Sequence, residues 1–190
     1  DIGVWRPETT RLWKDVAREA RAEGRKVHMG RLFGIMTLKH AETEGTDHDI
    51  SRFKYRVVFQ GNNVISADYT AAMFNDEGSH PCDMASAKFS DLFGLTSSEG
   101  DDHAVEVADV IQAYPQAPFT GTETWIMLPE AAWEPEWHGL DRPVVLLERN
   151  IYGHPDAGTI WEKYLDVRLK RGGYEPINNW DSCYFHKTLK

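Results

Sequence analysis

Glu106–Ala117 reads EVADVIQAYPQA, and the rest of the chain is expected to be organised around this stretch. Its apolar run predicts a buried β-strand, and Tyr114-Pro115 predicts a tight turn at its end. Asp109 is the acid set inside the run, and Tyr114 follows it at the fifth position. A carboxylate at a strand end can hold a divalent metal, and a ring at that offset can pack under a sugar. An Asp in an apolar strand also serves as a turn or cap residue, so these two residues alone leave both roles open.

At 190 residues, 41% of them apolar and 27% charged, the chain has the composition of an ordinary globular domain with a core of its own. No apolar run approaches the roughly 18–20 residues of a membrane span. The first residue is Asp and no signal-type segment follows, which points to a processed product or a piece of a longer polypeptide. Cys82 and Cys183 are too few for a disulfide framework, and neither has a metal-like neighbour in sequence. They read as buried or partly buried free thiols in a reducing, intracellular setting. The net charge of −9 argues against a freestanding nucleic-acid binder, though it leaves room for a basic track on one face.

Working outward, a helix is predicted over Glu8–Glu23 with Leu12, Trp13, Val16, Ala17 and Ala20 on one stripe and Gly24 as its stop. Lys26–Lys39 predicts a strand with Gly30 and Gly34 at bends, and Ala41–Ile50 an acidic loop. In Arg52–Asn63, Phe53, Tyr55, Val57 and Phe59 alternate with Arg52, Lys54, Arg56 and Val58, the period of a half-exposed strand. Its three cations project from one face, where they either grip phosphate or form an ordinary charged surface. A short helix is expected near Tyr69–Phe74, and another over Met84–Phe93 capped by Asp83 and closed by Gly94. Met84, Ala87, Phe89 and Phe93 of that second helix are expected to face inward. Ser97–His103, with Asp101-Asp102, reads as a polar loop. Strands are predicted at Thr122–Pro129 and Pro143–Arg149, an irregular Trp-rich stretch between them, and a helix over Ala157–Arg171 capped by Asp156. A last strand begins in Asp181–His186.

Three blocks, in this order, resemble the reverse transcriptase of Ty1/copia-type retrotransposons. Lys54–Gly61 (KYRVVFQG) resembles the K-x-R-L-V-x-x-G strand of the fingers. Asp109–Tyr114 (DVIQAY) resembles the first palm motif, D-V-x-x-A-F/Y, followed as in that family by a strand and Pro-Glu. Leu147–Trp161 (LERNIYGHPDAGTIW) resembles L-x-x-x-L-Y-G-L-x-Q-x-x-x-x-W, and Asp181–Phe185 resembles D-x-x-x-F. The match runs from about Gly24 to Lys190. It implies an α+β fold of fingers and partial palm, a small mixed or antiparallel sheet with packed helices. On this reading residues 1–24 are a lead-in, 25–105 fingers-like and 106–190 partial palm.

The resemblance also implies RNA-directed DNA synthesis with two Mg²⁺ ions, on an RNA/DNA template-primer and a dNTP. Asp109 would be the first catalytic, metal-binding carboxylate. The main chain from Val110 would lie by the triphosphate, and Tyr114 would be the steric gate against a ribose 2′-OH. Lys54 or Arg56 would neutralise triphosphate charge, and Gly153 would let backbone approach the nucleotide closely.

Two departures stand out. His154-Pro155-Asp156 replaces the family's L-K-Q, and no Y/F-x-D-D motif follows Asp181–Phe185. By themselves these residues are therefore expected not to polymerise. A C-terminal palm and RNase H region would complete them. The other reading is a truncated, inactive chain serving as a structural or interaction subunit, with a partner on its open sheet edge or on the Trp-rich Trp125–Trp137 stretch.

Overall fold

The computed structural model describes residues 2–74, 78–96 and 106–188; the expected polar loop with Asp101-Asp102 lies outside them. In chain order the strands are β1 (Arg11–Leu12), β2 (His28–Lys39), β3 (Arg52–Phe59), β4 (Ile65–Ser66), β5 (Thr124–Met127), β6 (Pro143–Leu146), β7 (Tyr174–Pro176) and β8 (Tyr184–His186). The α-helices are α1 (Trp13–Glu23), α2 (Met84–Thr96), α3 (Ala113–Gln116) and α4 (Ala157–Arg171). The class is α+β, with a mixed six-stranded sheet in the order β1-β6-β5-β2-β3, β4 pairing β2 off that path, and a separate β7-β8 hairpin. Only β2 and β5 run parallel; the other pairs are antiparallel. No described helix is long and apolar enough to cross a membrane.

The sheet buries both faces at its centre. Met29, Trp125 and Val144 meet the Trp13, Val16, Ala17 and Ala20 stripe of α1. Leu32, Phe59, Ile126 and Val145 meet Val64, Leu128, Trp137, Leu147 and Ile151 on the other side. Trp125 and Trp137, expected as docking residues on the interaction reading, are therefore core residues.

Helix α1 stops as expected, at Gly24 with φ 65°. It starts later than the periodicity suggests. Arg11 and Leu12 are taken by β6, opposite Val144 and Pro143, and Thr9 Oγ1 accepts the Leu146 N–H at 3.0 Å. Sheet pairing wins over helix propensity there. Gly30 and Gly34 are not bends. They lie within β2, and a Cβ would meet the Phe59 ring at 2.2 Å and the Tyr55 hydroxyl at 2.0 Å, so their bare backbone accommodates cross-strand rings. No helix forms at 69–74; Tyr69 sits at φ 62° in a turn.

Asp83 does cap α2, its Oδ1 accepting the Ser86 N–H at 2.7 Å. That helix passes through Gly94 to Thr96, and Met84, Ala87, Phe89 and Phe93 are exposed, not inward. Helical spacing decides which residues share a face, not whether anything covers it. The largest correction falls on 106–112, which form no strand. Val107 is 96% and Ile111 80% exposed, and Asp109 is exposed between them. A strand needs a neighbour for its backbone groups, and no described strand pairs here. The chain instead turns at Gln112 (φ 50°) into the single turn of α3, where Pro115 falls in the first turn and no N–H is missed.

Candidate nucleic-acid interface

β2 and β3 extend beyond the core as a two-stranded ribbon. The register pairs Lys39 with Arg52, Thr37 with Lys54 and Ile35 with Arg56, and opposed residues share a face. Arg52, Lys54 and Arg56 therefore stand in one row at intervals of roughly 6.6 Å, with Lys39 beside Arg52. The other face carries Met36, Tyr55, Phe53 and Val57, all exposed, so the ribbon is solvated on both sides and not half-buried as expected. No described carboxylate pairs with any of the four cations. Their crowding lowers the Lys54 ammonium pKa, Arg56 contributing most, then Lys39. In an acidic protein this is an uncompensated basic strip, with the spacing and exposure that suit a polyanion.

At the base of the ribbon the other blocks come together. The Tyr152 carbonyl accepts the Phe59 N–H at 2.8 Å, clamping the turn after Asn150 to the end of β3. Gly153 sits at φ 88°, where a Cβ would lie 2.2 Å from the Phe59 carbonyl oxygen. The Tyr114 ring stacks on Tyr152 at 4.6 Å and 29°, and Trp161 closes the group at 6.5 Å. Tyr114 and Trp161 then border a cleft of about 350 Å³ that runs to His80, Glu162 and Tyr184. Asn150, fully buried, holds this junction. Its Nδ2 donates to the Ala157 carbonyl at 2.8 Å and its Oδ1 accepts the Ile151 N–H at 3.0 Å. Its own N–H donates to the Ala117 carbonyl at 2.9 Å.

The chain was compared with family models, curated proteins and solved structures, and matches none.

Of the residues singled out from sequence, Tyr114 and Gly153 meet at this junction, and Lys54 and Arg56 lie on the ribbon that rises from it. Asp109 and Val110 are on the exposed segment leading to α3. Asp109 has no side-chain hydrogen bond or ion pair among the described residues, and no three described His, Cys, Asp or Glu side chains come together. Two Mg²⁺ ions at the separation that nucleotidyl transfer requires need more than one carboxylate. The described residues do not fit such a centre.

Sequence reasoning missed His154 and His28. His154 is buried among the rings of Phe59, Phe74 and Phe119, with centroids at 4.8, 5.5 and 4.8 Å. His28 lies against Phe74 at 5.0 Å. One nitrogen of each, His154 Nε2 and His28 Nδ1, has no hydrogen-bond partner among the described residues. Burial pushes His154 down to about 4 from 6.5, with the charge of His28 adding to it, and burial lowers His28 as well. The only hint in sequence was His154 standing where the resembled family has an apolar residue.

The depressed value sets a pH dependence. Between pH 6.5 and 4 the unfolded chain binds the proton and the folded chain does not, so stability falls as pH drops through that window. The wild type is expected to lose about 2–3 kcal/mol more than His154→Leu on going from pH 7 to pH 4.5, read by urea titration. Parallel losses in the two chains would contradict a neutral buried imidazole.

Proposed function

We propose that the chain is the fingers and partial palm of a Ty1/copia-type reverse transcriptase, and that the cationic face of the β2-β3 ribbon grips a nucleic-acid template-primer. The support is the ordered resemblance of the three blocks, together with one observation. Residues drawn from all three, Phe59, Tyr114 and Tyr152-Gly153, pack into a single junction at the end of β3, the strand that carries Lys54 and Arg56. Such an arrangement delivers phosphate charge to Lys54 and Arg56 while an aromatic ring and a bare glycine backbone lie at the ribbon's foot. The role extends to grip alone; the described residues carry one carboxylate of the set that synthesis requires.

The test is fluorescence anisotropy with a labelled RNA/DNA template-primer, over a salt series. Lys54→Gln/Arg56→Gln is expected to bind roughly tenfold more weakly, with the slope of log K against log salt shallower by about 1 to 2. Binding that is absent in the wild type, or equal in the two chains, would remove the proposal. It would favour the interaction-subunit reading, which the exposed Phe89, Leu92, Phe93 and Leu95 of α2 also support.

A further inference from the structure

Cys82 and Cys183 are 101 positions apart in sequence, yet their sulfurs stand 3.2 Å from each other. We infer that these two thiols are an oxidative modification site, closing to an intramolecular disulfide by exchange with a small-molecule disulfide such as oxidised glutathione. Contacts on both sides of the pair bring the sulfurs together. Ser182 Oγ, next to Cys183, donates to the His80 carbonyl at 2.7 Å. The His80 N–H donates to Glu162 Oε2 on α4 at 3.1 Å, and Ser79 lies against Gly158, where a Cβ would be 2.6 Å from Ser79 Oγ. Asp83, following Cys82, is fixed as the cap of α2. On the far side the Cys183 carbonyl accepts the Ile177 N–H at 2.9 Å, within the turn that joins β7 to β8.

A covalent S–S bond is about 2.05 Å long, so the sulfurs need approach by only about an ångström. Two segments already pinned by other contacts leave little chain entropy to lose on closure. The order of events follows from exposure. Cys82 is half-exposed and Cys183 is buried, its thiol pushed up to about 11 by burial and by the neighbouring thiol. The Cys82 thiolate attacks glutathione disulfide, releasing one glutathione thiolate and leaving a mixed disulfide on Cys82. Cys183 then loses its proton and attacks the Cys82 sulfur, expelling the second glutathione. The balance is one protein dithiol and one glutathione disulfide giving one protein disulfide and two glutathione thiols. The bond would tie the 78–83 segment to the start of β8, both walls of the cleft that Tyr114 borders.

The test equilibrates the 190-residue chain in glutathione buffers of graded ratio, native and in urea, then traps free thiols by alkylation and maps peptides by mass. The expected result is loss of both free thiols to a Cys82–Cys183 peptide in monomeric protein. The native dithiol should oxidise roughly a hundredfold more readily than the unfolded one, the factor by which a native disulfide ordinarily favours the folded state. Cys183→Ser should instead stop at the glutathione adduct on Cys82. Equal oxidation of native and unfolded chains, an adduct without closure in the wild type, or only interchain dimers would overturn the inference.

Discussion

Gly153→Ala is expected to melt about 10 °C below the wild type. The residue is at φ 88°, and the new methyl carbon would lie 2.2 Å from the Phe59 carbonyl oxygen and 3.2 Å from the Phe59 nitrogen. Neither neighbour can swing away, because that stretch of backbone is held by the Phe59 N–H bond to Tyr152. Strain and collision together are worth about 3–4 kcal/mol, and each kcal/mol shifts Tm by about 2–4 °C at this size. Gly24→Ala is the control. It shares a left-handed φ of 65°, but nothing lies within 4 Å of its Cβ position, so its cost is about 1 kcal/mol of backbone strain. Thermal melts of the two variants side by side check the account. Equal losses would mean that the turn is not clamped to β3.

Asn150→Leu is expected to lower stability by about 2–4 kcal/mol, although leucine keeps the branched shape and the number of side-chain heavy atoms. It strands the Ile151 N–H, now satisfied by the amide at 3.0 Å inside a fully buried site, and takes the amide's 2.8 Å hydrogen bond from the Ala157 carbonyl. The loss should appear as a lower urea midpoint with an unchanged slope, since the core stays apolar and compact. Because Asn150 also joins Ala117 to the start of α4, Tyr114 and Trp161 should lose their fixed spacing in the folded fraction. A change in aromatic near-UV circular dichroism without unfolding would report that. An unchanged midpoint would show that water or a moved backbone replaces the amide.

The elements read correctly from sequence are those whose signal is local. The α1 stripe and its Gly24 stop, the alternation of β3, the apolar β5 and β6, and the bounds of α4 follow from period and punctuation. Local pattern fails where the outcome depends on a distant neighbour. Arg11 and Leu12 are helical by spacing and strand by virtue of Val144 and Pro143. The run at 107–111 is strand-like in composition but has no described strand to pair with. The α2 face at Met84, Phe89 and Phe93 has helical period and, among the described residues, no cover apart from the edge contact of Phe89 with Trp180 at 5.3 Å. The site divides in the same way. The cation row was visible as a period of two, whereas the His154 pocket is assembled from Phe59, Phe74 and Phe119 and has no signature along the chain.

The most direct test of the central claim is a cross-link map of the chain bound to an RNA/DNA template-primer, read by peptide mass. Cross-links concentrated on Lys39, Arg52, Lys54 and Arg56, with Tyr114 close behind, are the predicted result. Cross-links confined to α4 and the β7-β8 hairpin, or spread evenly over the surface, would contradict it.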